Sequence, residues 1–579
     1  MMMQVLRHYL RPHKLSIAAI VLLQIVQAAA TLYLPALNAD IIDQGVVAGD
    51  TGYIVRFGAV MLAITVLQVL CAIGALFFSA RTAMSIGHDL RSAVFDRVQS
   101  FSGREVGLFG TASLVTRTTN DVQQVQMLVL ATFTTMVSAP LMGVGGIIMA
   151  LDQDLPLSLI LLAAIPLLGF VVGAVIRRMR PVFGVMQDRI DAVNRVLREQ
   201  ILGIRVIRAF VRSDYERRRF ERANTALADA SVRAGRLTTL MFPMLMTMVN
   251  VITVPVVWFG AHRIDSGGMR IGALTAFLSY LMQILISVNM ATSMFIMLPR
   301  AEVCARRIGQ VLGTESSVRS PDEPVRTFTT RSGLELRGIQ FGYPGAEKPV
   351  LSGVDLIARP GTTTAVVGST GSGKSTLLGL VSRIFDPTAG EVLVNDTNVA
   401  RIAPELLSRT IGLVPQKAHL LSGTVASNLR YGKDDATDDE LWRALETAQA
   451  KEFVELLEGG LEAPISQGGS NVSGGQRQRL AIARVLVGRP EIYLLDDSFS
   501  ALDPATEAAL RAAMVAETAG ATIINVTRRV SSFRDADCIV VLDEGKIVGS
   551  GTHLKLMSSN KIYRDIVLSQ VTEEEAARR

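Results

Sequence analysis

Residues 364–376 read TAVVGSTGSGKST, and their reading decides the fold of the half of the chain that holds them. A strand-like run, Thr364 to Val367, leads into Gly368, Ser369, Thr370, Gly371, Ser372, Gly373, Lys374 and Ser375. A helical pattern then opens with Thr376, Leu377 and Leu378. Strand, glycine loop and helix in this order are the phosphate-cradling arrangement of α/β nucleotide-binding domains. Glycine lets backbone amides turn inward around phosphate, and the helix N-terminus adds a field that favours an anion. Lys374 is expected to reach the β- and γ-phosphates of a nucleotide, and the Ser375 hydroxyl to ligate Mg2+. A chance glycine-rich turn would lack the flanking strand and helix.

A second apolar run, IYLLDD at 492–497, stops on two consecutive carboxylates. Asp496 is placed to hold Mg2+, directly or through water, as in nucleotide-hydrolysing P-loop domains generally. Between the two runs lies NVSGGQRQRLAIARVL (471–486), whose SGGQ opens an amphipathic helix. Ser473 and the amides of Gly474 and Gly475 make a second anion site of phosphate size. That site is far along the chain from Lys374. One nucleotide would use both only if two such domains packed head to tail.

The chain of 579 residues is too long for one compact core, so two or more domains are expected. Hydrophobic residues make up 49% and charged residues 19%, a mixture of membrane-embedded and soluble parts. Cys71, Cys304 and Cys538 lie far apart and show no metal-ligand spacing. The formal net charge is +6, carried by arginines on helical patterns beside apolar spans. Membrane sidedness accounts for that placement better than nucleic acid does. The opening MMMQVLRHYL reads as an interfacial elbow helix. The apolar stretch after it is too long for the core of a cleavable signal.

Six apolar stretches are long enough to cross ~30 Å of hydrocarbon. They fall at 16–38, 56–79, 128–151, 155–176, 238–262 and 271–298. Short connections join spans 1 and 2, 3 and 4, and 5 and 6; the first of these has three Asp and no Lys or Arg. The 2–3 and 4–5 connections run to about 50 and 60 residues and are rich in arginine, as in RRMRP at 177–181. The positive-inside rule puts both long connections, and both chain ends, in the cytoplasm. Their apolar residues recur at helical spacing, so they read as cytoplasmic extensions of the spans. No Asp, Glu, Lys or Arg lies centrally in any span, which argues against a proton relay. Met241, Met244, Met246, Met248, Met290, Met294 and Met297 give spans 5 and 6 a polarizable surface. It would suit an amphipathic or lipid-like solute, or serve helix packing alone. Residues 301–333 read as a linker, 334–570 as an α/β domain and 571–579 as a polar tail.

With these motifs in order, the chain resembles a half-transporter of the ATP-binding cassette (ABC) superfamily, of the six-helix exporter type. The resemblance covers nearly its whole length. It implies an all-α six-helix transmembrane domain over 1–300 with long cytoplasmic extensions, followed by an α/β P-loop nucleotide-binding domain, with ATP and Mg2+ as cofactors. In FGYP, Tyr343 is then the aromatic that stacks on adenine. Gln416 in VPQ touches Mg2+ and senses the membrane domain. Asp503 in SALD lies in the loop that crosses the dimer interface. Ser473, Gly474, Gly475 and Gln476 form the signature that serves the opposite site. Thr376 completes the phosphate loop. Short coupling helices are expected near Arg117–Asp121 and Phe210–Tyr215.

Three positions depart from the family pattern. After the Mg2+-binding Asp496 the family has Glu, which polarises the attacking water; here stands Asp497. One methylene fewer withdraws the carboxylate by roughly 1.5 Å, a loss for a general base that must come within hydrogen-bond reach. Arg528 in NVTRRVSSF takes the place of the switch His, and it cannot adopt a neutral, proton-sharing state. Gln467 stands where many members carry Glu. The first two departures weaken this chain's own hydrolytic site, whereas the SGGQ signature is intact. The pattern resembles heterodimeric exporters, in which a second, non-identical half-transporter supplies the working Glu and His. The alternatives are a homodimer with slow Asp-based hydrolysis, or an importer of a siderophore or fatty acid on the same fold. Abundant Arg and Ala point to a bacterial cytoplasmic membrane.

Overall fold

A computed structural model describes residues 7–572. The chain divides into two compact units, one formed by the residues up to Arg97 with Val115–Gly313 and the other by Val98–Leu114 with the residues from Thr314 onward.

The first unit is helical. Its long helices are Lys14–Asp40, Thr51–Gln99, Ser138–Gln153, Leu155–Leu202, Ser213–Asp265 and Ile271–Gly313. Among the described residues, five helices are long and apolar enough to cross a membrane, and the expected span at 238–262 lies inside the helix Ser213–Asp265. Thr51–Gln99 has 49 residues. At 1.5 Å per residue such a helix is about 74 Å long, more than twice the hydrocarbon thickness. The last of these helices runs on to Gly313, so residues 301–313 of the stretch read as linker are helical. The buried face of that segment explains why: Ala301, Cys304, Ala305, Ile308 and Val311 recur at helical spacing. The expected elbow falls partly on residues 1–6, outside the described residues; from Arg7 the chain is helical.

Among the described residues of this unit, three π-helical turns join successive helices, at Ile41–Val46, Arg117–Asp121 and Thr132–Met136. Each carries a contact between distant segments. Asp43 accepts from Gly272 N at 2.7 Å, Asp121 pairs with Arg307 at 3.3 Å, and Phe133 O accepts from the Gln24 side chain. At Phe133 the contact uses a carbonyl of the turn itself, whereas at Asp43 and Asp121 it uses the turn's side chain. The packed centre of the unit joins Leu157, Leu161, Ile252, Val256, Phe277 and Tyr280. Met248 belongs to this core, whereas Met244 and Met290 are exposed; the side chains of Met241 and Met294 lie outside the described residues.

The reading that placed a short coupling helix at Arg117–Asp121 needs correction. Those residues are a π turn continuous with the helices on either side. In this connection a separate short helix forms at Gly103–Phe109. It starts on a capping box in which Ser102 and Glu105 satisfy each other's backbone amides, and it ends at Gly110. It packs inside the second unit: a Cβ at Gly103 would lie 2.9 Å from Phe385, and Ser317 donates to Glu105 at 3.3 Å. The chain breaks from helix again over Phe210–Arg212, where Val211 has φ +52°.

Among its described residues the second unit contains three sheets built from twelve strands. These are β1 (Leu334–Phe341), β2 (Leu351–Ala358), β3 (Thr363–Val367), β4 (Ala389–Val394), β5 (Thr397–Asn398), β6 (Ile411–Val414), β7 (Gly423–Thr424), β8 (Pro464–Ile465), β9 (Ile492–Asp496), β10 (Thr522–Val526), β11 (Cys538–Asp543) and β12 (Lys546–Gly551). An antiparallel sheet has the order β2-β1-β4-β5, and the central sheet the order β12-β11-β3-β10-β9-β6. Within the central sheet only the β11–β12 pair is antiparallel. Strands β3 and β9 are almost wholly buried, which is why they read as continuous apolar runs rather than alternating ones.

Candidate nucleotide site

The register of the central sheet assembles the site. Val526 pairs with Val366 on one side and with Asp496 on the other. Val414 pairs with Leu495. The carboxyl ends of β3, β10, β9 and β6 therefore lie level, and the loops leaving them carry Gly368, Arg528, Asp497 and Gln416. Ligands of parallel α/β sheets bind at this edge.

A cleft of about 330 Å³ opens there, walled by Tyr343, Gly371, Gly373, Lys374, Ser375, Thr376, Gln416, Asp496, Asp497 and Arg528, among others. Lys374 Nζ donates to Gly368 O at 2.9 Å, Ser369 O at 2.6 Å and the Ser372 hydroxyl at 3.2 Å. The ammonium is thereby drawn into the ring of the loop, which Thr370 completes. Gly373 has φ +102°, and a Cβ there would lie 2.7 Å from Leu351, so glycine is required just before the helix Lys374–Val381. Burial, with Arg528 close by, lowers the Lys374 pKa against the opposing pull of Asp496 and Asp497.

The Ser375 hydroxyl donates to Asp496 Oδ1 at 3.1 Å. Burial raises the Asp496 pKa, the Ser375 hydrogen bond opposes it, and the neighbouring Asp497 raises it further. Hydroxyl and carboxylate oxygens this close, with Gln416 on the same wall, are the hard donor set that suits Mg2+. Asp497 sits in the left-handed region at φ +49°, a conformation Asp tolerates better than most residues. Its amide donates to Val526 O at 2.8 Å. Tyr343 stands edge-on to Phe341 and Phe385, keeps 41% of its surface exposed, and its hydroxyl meets that of Thr376 at 3.2 Å. A ring so braced offers an open face to a flat base.

Ser473, Gly474, Gly475, Gln476 and Asp503 are not among the walls of this cleft. Ser473 caps the helix Gly474–Gly488 through a reciprocal box with Gln476, at 2.8 and 3.2 Å. Asp503 caps the helix Pro504–Glu517 by accepting from Thr506 N at 3.0 Å. Both end at exposed helix N-termini, in keeping with groups that serve a second surface. Gln478 is a site neighbour that sequence reasoning missed. Buried at 3% exposure, it accepts from Ala501 N at 3.1 Å and reaches Asp497 O at 3.4 Å. A polar residue on the buried face of the signature helix was the available signal.

Residues 17–288 match the ABC transporter transmembrane region, and residues 351–500 match the ABC transporter domain. An uncharacterized ABC transporter ATP-binding protein of Mycobacterium tuberculosis is 50% identical over 574 residues, 98% of each chain. The chain belongs to the ABC transporter family. An ATP-dependent lipid A-core flippase of Chromobacterium violaceum is 31% identical over 84% of this chain and 83% of its own. A bacterial Atm1-family ABC exporter, solved with ATP bound, shares the fold at TM-score 0.81 and 22% identity, over 97% of this chain and 99% of that one. This ABC transporter chain thus carries the multi-pass transmembrane region of its family, in the fold of a bacterial exporter. Its nucleotide-binding domain binds ATP and couples hydrolysis to transport, and exporters of this kind work as dimers in the membrane.

Proposed function

We propose that this chain is the subunit with the weak hydrolytic site in a heterodimeric exporter of an amphipathic or lipid-like small molecule. One observation carries the reading. Asp497 and Arg528 stand in the nucleotide cleft where the family has Glu and His, while the signature helix begins on an intact Ser473-Gly474-Gly475-Gln476.

In its own cleft, Lys374 and the loop amides hold the phosphates, Tyr343 stacks on the adenine, and Ser375, Asp496 and Gln416 hold Mg2+. The metal neutralises charge on the phosphate oxygens when bound. Asp497 is a short base and Arg528 a fixed cation, so this site retains ATP and turns it over slowly. The partner subunit's site borrows this chain's signature and does most of the hydrolysis. ATP-driven closure of the two domains is carried through the long helices and reopens the membrane cavity to the other side. Asp503 lies at the interface between the domains. The chain sits in a bacterial cytoplasmic membrane with both ends inside. The uncharged spans and the kinship with a lipid flippase support a lipid-like cargo.

Native mass spectrometry of the complex purified from its own host membranes tests the assembly. A partner of different mass supports the heterodimer. A clean multiple of 62.4 kDa makes it a homodimer and Asp497 the base in both sites.

A further inference from the structure

Two residues outside the expected site, Glu507 and Arg529, join the loop that follows Asp497 to the loop that carries Arg528. Glu507 lies in the first turn of the helix Pro504–Glu517 and is 2% exposed. One carboxylate oxygen accepts from Arg529 Nη1 at 2.6 Å and the other from the Ser532 hydroxyl. A buried carboxylate needs a cation. Arg511, one turn along the same helix, stands at 3.9 Å and is the local candidate. The close partner is nevertheless Arg529, from a different loop.

Arg529 does more than neutralise that charge. It donates to Leu502 O at 3.2 Å and to Ser500 O at 2.9 Å. Ser500 in turn donates to Asp497 O from its amide at 3.1 Å and its hydroxyl at 2.8 Å. One guanidinium thus grips the stretch between Asp497 and Asp503 at two carbonyls and anchors itself on Glu507. Beyond Arg528 the chain is also held: Gln570 donates to Arg528 O at 2.6 Å and accepts from Val530 N at 3.2 Å. Arg528 is therefore placed by its neighbours. Only a planar group with several donors can make all three contacts of Arg529 at once.

We propose that Arg529 is a positioning residue that transmits movement of the Ser500–Asp503 loop to Arg528. A second subunit pressing on that loop then changes how firmly this chain's own cleft holds its nucleotide. The inference rests on the reading of Arg528 as the group at the γ-phosphate.

The test uses the assembled, full-length transporter in lipid vesicles, with 8-azido-ATP photolabelling of this chain as the readout of retained nucleotide. Arg529→Lys keeps a positive charge for Glu507 and gives up the fork. We expect an unchanged thermal midpoint, initial ATP affinity within about twofold, and a retention half-life shortened about tenfold. Arg528→Ala should shorten retention similarly, and adding Arg529→Lys to it should do no more, because the two act in series. Normal retention in Arg529→Lys, or an effect that adds to that of Arg528→Ala, overturns the proposal while leaving the reading of Arg528 intact. Unchanged retention in Arg528→Ala overturns both.

Discussion

Asp43 accepts a hydrogen bond from Gly272 N at 2.7 Å, joining residues 229 positions apart. Asp43 belongs to the π turn after the first span, and Gly272 to the first turn of the last helix. The carboxylate caps a helix other than its own, where free amides and the helix field both favour it. Asp43→Ala should cost about 1 kcal/mol, as the loss of a helix cap does, and Asp43→Asn clearly less. Thermal unfolding in lipid nanodiscs measures the difference. A Cβ at Gly272 would lie 2.2 Å from Ala39 O, so Gly272→Val should damage the chain more than either.

On the proposed reading, Gly475 and Asp497 serve different ATP sites. A Cβ at Gly475 would come 3.1 Å from Ala501 O, leaving little room for a large side chain. Gly475→Glu also puts negative charge on the signature. It should reduce the ATPase rate of the assembled transporter at least about tenfold, and Asp497→Asn less than about twofold. Steady-state phosphate release distinguishes them. The reverse ranking would make Asp497 the working base.

Tyr343→Ala removes the ring that braces against Phe341 and Phe385. ATP affinity should fall about tenfold, roughly 1.4 kcal/mol. Tyr343→Phe keeps the stacking face and loses only the contact with the Thr376 hydroxyl, so its affinity should stay near wild type. Equilibrium binding of a fluorescent ATP analogue reads both. Unaltered affinity in the alanine variant would remove Tyr343 from the adenine site.

Burial holds the Asp496 carboxyl above its ordinary value. In the metal-free protein the folded state binds its proton more readily than the unfolded chain does. The contribution of Asp496 to stability therefore falls as pH rises through its raised pKa, and the ionised group is a net cost at neutral pH. Asp496→Asn should raise the thermal midpoint at neutral pH without Mg2+, and the gain should vanish below the ordinary carboxylate range. The same variant should lose Mg2+-dependent ATP binding. In the wild type that binding should fail on acidification at a higher pH than an ordinary aspartate would allow. Calorimetry across pH, with and without Mg2+, checks both signs.

Much of the site is legible because its parts are contiguous. Gly368 to Ser375 form one loop whose strand and helix flank it in the chain, so local backbone rules suffice. The spans are legible because hydrocarbon demands long uncharged runs. The short helix at Gly103–Phe109 escaped because the helical spacing of apolar residues continues on both sides of it. Its capping box, Ser102 with Glu105, was the overlooked signal. The helix running on to Gly313 was obscured by the charged residues on its outer face, which read as linker.

The sequence by itself determined the strand, glycine loop and helix around Lys374, how many apolar runs are long enough to cross a membrane, and that Asp497 and Arg528 stand at their two positions. Only the tertiary structure decided what stands beside what. The register Val366–Val526–Asp496 brings Arg528 level with Asp496, and Glu507 takes Arg529, not Arg511, as its close partner. Such pairings depend on strand order and on competition for a buried charge among residues far apart in the chain. Local propensity carries no record of either.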